Sequence, residues 1–242
     1  MLKSEAHSFD EEKHMRFFAF VVGLILFCGG GAARAGAPVA LFGTAEFRAD
    51  SHEALPQWRR VLHEIAAEAS GYDRCAHDYR SCANRSTMSW MSLLKSVDGL
   101  SPLEQARRIN AFANRSPYRT DSETYARSDY WATPSEFLKN SGDCEDYAIF
   151  KYVSLRLVGF KPDDLRIVVL NDTLRGLAHA VLAVYLADGA YILDNVTNAV
   201  LPQGRISQYV PYYSINETAR WAHVPPSQLM MTATSAGERT WK

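Results

Sequence analysis

The hydrophobic and polar positions of the chain change period in its second half. In segment 55–69, apolar residues recur at the spacing of a helix, and the polar segment 75–86 predicts a loop. The apolar face of the first segment consists of Trp58, Val61, Leu62, Ile65, Ala66 and Ala69. The later runs 165–170, 179–186 and 190–196 are rich in β-branched residues and predict strands. Helices followed by strands predict an α+β fold with an antiparallel sheet.

Local signals at the ends of these segments refine the prediction. Ser101 and Thr133 each precede a proline and stand three residues before a glutamate, which is typical of a capped helix start. Asp188-Gly189 separates the last two apolar runs and predicts a two-residue hairpin turn. The run YVPYYSIN, residues 209–216, predicts a further strand.

A central helix is predicted to begin at Asp143 and to end at Gly159. Its apolar face includes Cys144 in the first turn, whereas Lys151 and Arg156 are expected to face water. The cysteine stands in the run DCED, and carboxylates on both sides of a thiol should make it harder to ionise. This conflict between thiol and acids marks the segment as a candidate site.

Length and charge limit the classes of function. The chain has 242 residues, 47% of them hydrophobic, which fits one globular domain with a proper core. The net charge is -1, and no basic stripe follows any predicted element. A nucleic-acid partner is therefore not expected.

The first residues predict export. Lys13, His14 and Arg16 precede an apolar run of 12 residues, FFAFVVGLILFC, and small residues at Ala33-Arg34-Ala35 offer a cleavage site. We expect a signal peptide over residues 1–35 and a mature domain over 36–242, without stable membrane insertion after cleavage. An uncleaved anchor is the alternative, although the run is short for a membrane span.

Export changes the interpretation of the cysteines. Cys28 leaves with the signal peptide, and Cys75 and Cys82 are expected to form a local disulfide in an oxidising compartment. A zinc site made of this pair and His77 is the alternative, but it lacks a fourth ligand and the usual spacing. Cys144 is then left unpaired, and a lone thiol in an exported protein needs an explanation.

A catalytic role would explain the lone thiol. At a helix start, Cys144 lies over free backbone N–H groups and the positive end of the helix dipole. His179 begins one predicted strand and Asp194 ends its hairpin neighbour, so both lie at the same end of the sheet. This order of cysteine, histidine and aspartate is typical of papain-like catalysis. The alternative is that Cys144 is simply a small buried hydrophobic residue.

The predicted hairpin register leaves the third member open. A turn at Asp188-Gly189 would place Asp194 opposite Ala183, roughly 13 Å along the strand from His179. Asn198 would then face the histidine, and an asparagine can also orient an imidazole. A bulge or a different turn would bring Asp194 back into reach.

The segment SDYWATPSEFLKNSGDCEDYAIFKYVSLRLVGF, followed by LRIVVLNDT, AHAVLAVY, YILDNV and YVPYYSIN, resembles the bacterial transglutaminase-like cysteine proteinases. The resemblance covers about residues 41–222, and implies a papain-like core in which the nucleophile helix packs on an antiparallel sheet. It also implies that Cys144 is the nucleophile, His179 the base and Asp194 the third member, which favours Asp194 over Asn198. The implied activity is that of an exported cysteine endopeptidase with a thioester acyl-enzyme.

The best-known branch of that family is periplasmic and calcium-dependent. It clips a large surface adhesin, which releases cells from biofilm, under the control of an inner-membrane receptor. The resemblance implies the same location, cofactor and kinds of partner here. The segment from Cys75 to Cys82 departs from that branch and leaves the substrate open.

The resemblance also implies calcium ligands beside the nucleophile, which correspond to Asp143, Glu145 and Asp146. Carboxylate oxygens suit Ca²⁺, and a bound dication would reverse their effect on the thiol. The alternative is that Asp143 caps the helix while Glu145 and Asp146 interact favourably with its dipole. Both interpretations can hold together, because capping leaves carboxylate oxygens free.

Two rival functions follow from the same residues. A transglutaminase would form the same acyl-enzyme and transfer the acyl group to an amine instead of water. A binding module would keep the fold without turnover, although the intact cysteine, histidine and aspartate argue against it.

Overall fold

The computed structural model describes residues 39–228. The predicted signal peptide, residues 1–35, and Cys28 lie outside the described residues. The helices are α1 Pro56–His77, α2 Arg85–Val97, α3 Pro102–Ala113, α4 Asp121–Tyr125, α5 Pro134–Asn140 and α6 Cys144–Leu157. The strands are β1 Ala45–Ala49, β2 Leu165–Asp172, β3 Leu177–Leu186, β4 Gly189–Leu193, β5 Leu201–Pro202, β6 Tyr209–Ile215 and β7 Arg220–Val224.

The strands form one sheet in the order β1-β7-β6-β2-β3-β4-β5. All pairs of neighbouring strands are antiparallel. Helices therefore precede an antiparallel sheet, and the predicted α+β class is confirmed. No helix within residues 39–228 has both the length and the apolar composition that crossing a bilayer requires.

The helix α6 directly precedes the central strands of the sheet and is buried on almost every side. α6 packs against β2 and β3 on one side and against α3 and α5 on the other. Large side chains fill the space between these layers, among them Trp58, Trp90, Phe137, Phe150 and Leu182. The larger of two core clusters thus lies between the helices and one face of the sheet, and holds the first turn of α6 against the sheet. A smaller cluster, which includes Leu41, Val168 and Val181, packs on the opposite face.

The predicted helix starts at Ser101, Thr133 and Asp143 are confirmed. The predicted loop 75–86 is wrong at both ends, because α1 continues to His77 and α2 begins at Arg85. A disulfide joins the sulfur atoms of Cys75 and Cys82, which confirms the predicted bridge and excludes the zinc alternative.

The prediction that Lys151 faces water is wrong. Its side chain is 1% exposed, and its ammonium lies 5.6 Å from the ring centroid of Tyr147. Burial lowers the pKa of Lys151 to about 7, against the opposing influence of the Asp194 charge. Helical periodicity distinguishes a solvent-exposed side from a core-facing side only in a helix that has one side exposed to solvent. α6 lacks such a side at this position because it is enclosed by other elements.

We predict that Lys151 makes the stability of the protein depend on pH between about 7 and 10. Unfolded Lys151 keeps its proton up to about pH 10.4, whereas the folded side chain loses it near pH 7, so the free energy of unfolding rises with pH across this window. In Lys151→Met this contribution is absent. The free energy of unfolding of the variant, minus that of the wild type, should therefore fall by about 2–3 kcal/mol from pH 7 to pH 9.5, as measured by urea denaturation.

Lys95→Met serves as the control, because Lys95 is an exposed lysine of α2. Its difference from the wild type should not change with pH. A difference for Lys151→Met that is equally flat would contradict a buried lysine that is neutral in the folded state.

Candidate active site

Cys144 is the first residue of α6, and a buried carboxylate fixes that helix start. Asp146 is 0% exposed, and its Oδ1 accepts a hydrogen bond from the backbone N–H of Ala132 at 2.6 Å. Its Oδ2 accepts from the backbone N–H of Asp143 at 3.2 Å, within a capping box. A Cβ atom on Gly142 would lie 2.0 Å from the same Oδ2, so this position requires glycine. Together, these contacts set where the cysteine sits.

The thiol of Cys144 is surrounded by acids and by the start of β3. Its Sγ donates to Oε2 of Glu145 at 3.1 Å. Burial, then the charges of Glu145 and Asp143, raise the pKa of Cys144, while the backbone N–H of Ala180 acts in the opposite direction. Acids and burial thus outweigh the helix start, which alone would favour the thiolate.

His179 and Asp194 are joined by a hydrogen bond of 2.9 Å between Nε2 and Oδ1. Both residues are buried, at 3% and 4% exposure. The thiol lies against Ala180, which is next to this histidine in β3, but no hydrogen bond within residues 39–228 joins Sγ to the imidazole. The structure therefore brings the histidine and the aspartate into contact and sets the cysteine beside them.

The predicted register of the β3–β4 hairpin is wrong by two residues. Leu186 pairs with Gly189, so the turn consists of Ala187 and Asp188. Ile192, instead of Asp194, stands opposite Ala183. This shift moves Asp194 towards the start of β3, just beyond the end of β4, and so within reach of the histidine.

Asn198, the alternative partner of the histidine, has another role. Its Oδ1 accepts a hydrogen bond from Nδ2 of Asn114 at 3.1 Å. The same amide of Asn114 also donates to the backbone oxygens of Asp194 and Thr197. Asn114 and Asn198 thus hold the loop after β4 in place, and this loop presents the Asp194 carboxylate.

The carboxylate of Asp194 is strongly held as an anion. Burial alone would raise its pKa, but the hydrogen bond and charge of His179, the Tyr209 hydroxyl and the backbone N–H of Val196 together lower that pKa to about 2. Because the bond to Asp194 uses Nε2 of the imidazole, Nδ1 is the nitrogen left to exchange a proton with a substrate or thiol.

The acids beside Cys144 belong to a cluster that is larger than the sequence indicated. Ligand oxygens lie within 4.8 Å of one another in the sets Asp121–Asp143–Asp146 and Asp121–Asp129–Glu145. Among residues 39–228, the buried Oδ1 atoms of Asp121 and Asp143 have no hydrogen-bond partner. An all-oxygen donor set with unpaired buried oxygens fits Ca²⁺.

The acids of this cluster differ in how far their oxygens are already used. Both oxygens of Asp146 accept backbone N–H groups. Oδ2 of Asp121 accepts the backbone N–H of Tyr130 at 2.5 Å, and burial raises the pKa of Asp121 to about 6. Burial and Glu145 likewise raise the pKa of Asp143. The raised pKa values mean that these buried carboxyl groups are hard to ionise side by side. A bound cation would favour their ionised forms.

Sequence reasoning missed Asp121, Asp129, Asn114 and Tyr209. Asp121 and Asp129 lie 15 residues or more from Cys144, in α4 and in the loop that follows it, and a local pattern does not connect them with the thiol. Tyr209 begins the run YVPYYSIN, which suggested only a strand. The run SDYW, which contains Asp129, was the one signal that pointed to this loop.

Comparisons with known proteins place this site in a family. The profile of the family described as "Bacterial transglutaminase-like cysteine proteinase BTLCP" matches residues 63–228. No curated protein sequence shows a significant match.

Solved structures agree with this result. The chain is similar to Legionella pneumophila LapG, with 29% identity and a TM-score of 0.57 over 68% of this chain and 94% of that one. An EGTA-treated form of LapG gives 29% identity and a TM-score of 0.56 over 66% and 92% of the two chains. A calcium-bound form gives 30% and 0.55 over 67% and 97%. The chain therefore belongs to the family of bacterial transglutaminase-like cysteine proteinases.

Proposed function

We propose that this chain is an exported cysteine endopeptidase that uses Cys144, His179 and Asp194. The observation that carries the proposal is the buried hydrogen bond between His179 and Asp194. The thiol of Cys144 lies against Ala180, the residue that follows His179 in β3. Cys144 is the nucleophile, His179 is the base, and Asp194 orients the imidazole and balances its positive charge.

The chemistry follows from these positions. Sγ of Cys144 attacks the carbonyl carbon of a peptide bond, and its proton passes to Nδ1 of His179. The imidazolium then gives this proton to the departing amine, and a thioester remains on the cysteine. Water, deprotonated by the same nitrogen, hydrolyses the thioester and restores the thiol.

The developing oxyanion needs donors close to Cys144. The backbone N–H of Tyr130 and the indole N–H of Trp131 donate to Asp121 and Asp129, so neither is free for an oxyanion. The backbone N–H of Cys144 lies at the first position of α6, where a helix leaves N–H groups without an intrahelical partner. This group is the oxyanion donor that we assign.

We infer that the substrate is a protein of the periplasm or cell surface, such as a biofilm adhesin, and that an inner-membrane receptor regulates the enzyme. The resemblance of the segment around Cys144 to the periplasmic, adhesin-clipping branch supports this inference. The predicted signal peptide agrees with a periplasmic location. A transglutaminase remains the second candidate, since the triad is common to both reactions.

We also propose that Asp143 and Glu145, with Asp121 and Asp129, hold a calcium ion. The unpaired oxygens of Asp121 and Asp143 and the calcium-bound form of LapG support this site. Asp146 belongs to the same cluster, while its own oxygens hold the helix start. A bound Ca²⁺ would offset the negative charges that disfavour ionisation of the thiol.

We predict that the protein creates new N-termini in a mixture of periplasmic and surface proteins and does not attach a labelled amine to glutamine peptides. Labelling of N-termini followed by mass spectrometry detects cleavage, and Cys144→Ala should abolish it. On a peptide that spans an identified site, Asp194→Asn should lower kcat/KM by roughly a thousandfold or more.

Asp163→Asn is the matched control, because Asp163 is an exposed acid just before β2, and its kcat/KM should stay within a few-fold of the wild type. Amine incorporation without new N-termini would show a transglutaminase. If neither reaction occurred and Cys144→Ala behaved like the wild type, a binding module would be the better conclusion.

We predict that calcium binding stabilises the protein and depends on Asp121 and Asp143. At a calcium concentration about 100 times Kd, binding contributes about 2.7 kcal/mol, which corresponds to a rise in Tm of roughly 5–10 °C. Asp143→Asn and Asp121→Asn should each abolish this rise and the heat of binding in calorimetry. Asp98→Asn, an exposed acid after α2, should retain both. A full calcium response in the first two variants would contradict the assigned ligands.

A further inference from the structure

Tyr209, the first residue of β6, contacts both the histidine and the aspartate of the site. Its hydroxyl donates a hydrogen bond to Oδ2 of Asp194, the oxygen that His179 does not use. Its ring lies 5.9 Å from the imidazole of His179, centroid to centroid, with an interplanar angle of 61°. The residue is 6% exposed, so these contacts are shielded from water.

The backbone and the ring of Tyr209 are both held from other parts of the fold. Tyr209 pairs with Asp172 at the end of β2. On the side of the N-terminal segment, the ring of Phe42 packs edge-on against Tyr209 at 5.9 Å. Phe42 is itself anchored by a hydrogen bond from its backbone N–H to Oε1 of Gln203. The phenol therefore has little freedom to leave the carboxylate.

A buried carboxylate that is bonded through one oxygen only can still turn about its last side-chain torsion, because that torsion has a broad energy well. The two oxygens of Asp194 receive different partners. Oδ1 accepts hydrogen bonds from the imidazole of His179 and from the backbone N–H of Val196, and Oδ2 accepts one from the hydroxyl of Tyr209. Hydrogen bonds to an ionised acceptor are stronger than neutral ones, so the phenol fixes the plane of the carboxylate firmly.

Burial and the charge of Asp194 also raise the pKa of Tyr209, so the hydroxyl keeps its proton and remains a donor. The hydroxyl donates its hydrogen bond to the carboxylate of Asp194 and, within the described part of the chain, no hydrogen bond joins it to Cys144 or His179. A loss of this group would leave the other site residues in place and free one oxygen of the aspartate.

We propose that Tyr209 is a positioning residue of the triad, which holds Asp194 in the orientation that directs Oδ1 at Nε2 of His179. This inference rests on the proposed function for its kinetic consequence, while the geometry it describes is independent of any substrate. It assigns a specific task to the strand β6, which supplies none of the three reacting groups.

The test compares Tyr209→Phe with the wild type on a peptide that spans an identified cleavage site. Because hydrogen bonds to charged groups contribute about 1.5–3 kcal/mol, kcat should fall about 10- to 100-fold, with KM within about twofold. A residue with only a structural role would lower Tm and leave kcat of the folded fraction unchanged. Tyr212→Phe is the matched control, because Tyr212 is the neighbouring exposed tyrosine of the same strand.

A second measurement needs no substrate. The imidazole N–H of His179 that faces Asp194 should give a low-field proton resonance in NMR, which is lost in His179→Gln. In Tyr209→Phe this resonance should move and exchange faster with water, and in Tyr212→Phe it should not change. A shifted resonance supports the assignment even if no peptide is cleaved, an outcome that would count only against the proposed protease. An unchanged resonance together with an unchanged kcat would overturn the positioning role.

Discussion

The buried carboxylate of Asp146 is the constraint on which the site depends. It joins two separate pieces of chain: the loop at Ala132, and the continuous segment that runs from Gly142 and Asp143 into the first turn of α6. The close approach of Gly142 to this carboxylate leaves no room for a side chain. Because the helix start is fixed in this way, the thiol of Cys144 is held between the acids and β3. An acid that the sequence suggests as a metal ligand is thus also the anchor of the helix start that carries Cys144.

The sheet supplies the other half of the site through its register. His179 comes from β3, Asp194 from the loop beyond β4 and Tyr209 from β6. β2 lies between β6 and β3 in the sheet, and its last residue, Asp172, pairs with Tyr209 on one side and with Leu177 on the other. Elements far apart in the sequence therefore meet at one end of the sheet, and the Asn114 amide holds the loop that completes the arrangement.

The sequence predicted those features that local chemistry decides. The caps at Ser101 and Thr133 were recognisable because the hydrogen bonds that make them lie within four residues. The hairpin register was not, because Gly189 pairs with Leu186 instead of forming the turn. The burial of Lys151 and the convergence of Asp121 on the acids beside Cys144 depend on tertiary packing, which no local pattern records. The resemblance to a family selected Asp194 over Asn198, whereas the predicted hairpin register placed Asn198 opposite His179.

The central claim is that Cys144 and His179 act as one unit, with the imidazole supplied by the sheet to a thiol at the start of a helix. A crystal structure of the protein grown with calcium tests this most directly. The account predicts that Sγ of Cys144 and Nδ1 of His179 lie within hydrogen-bond reach, about 3–4 Å, while Nε2 remains bonded to Asp194. An imidazole well beyond that reach, or a disulfide on the sulfur of Cys144, would contradict it.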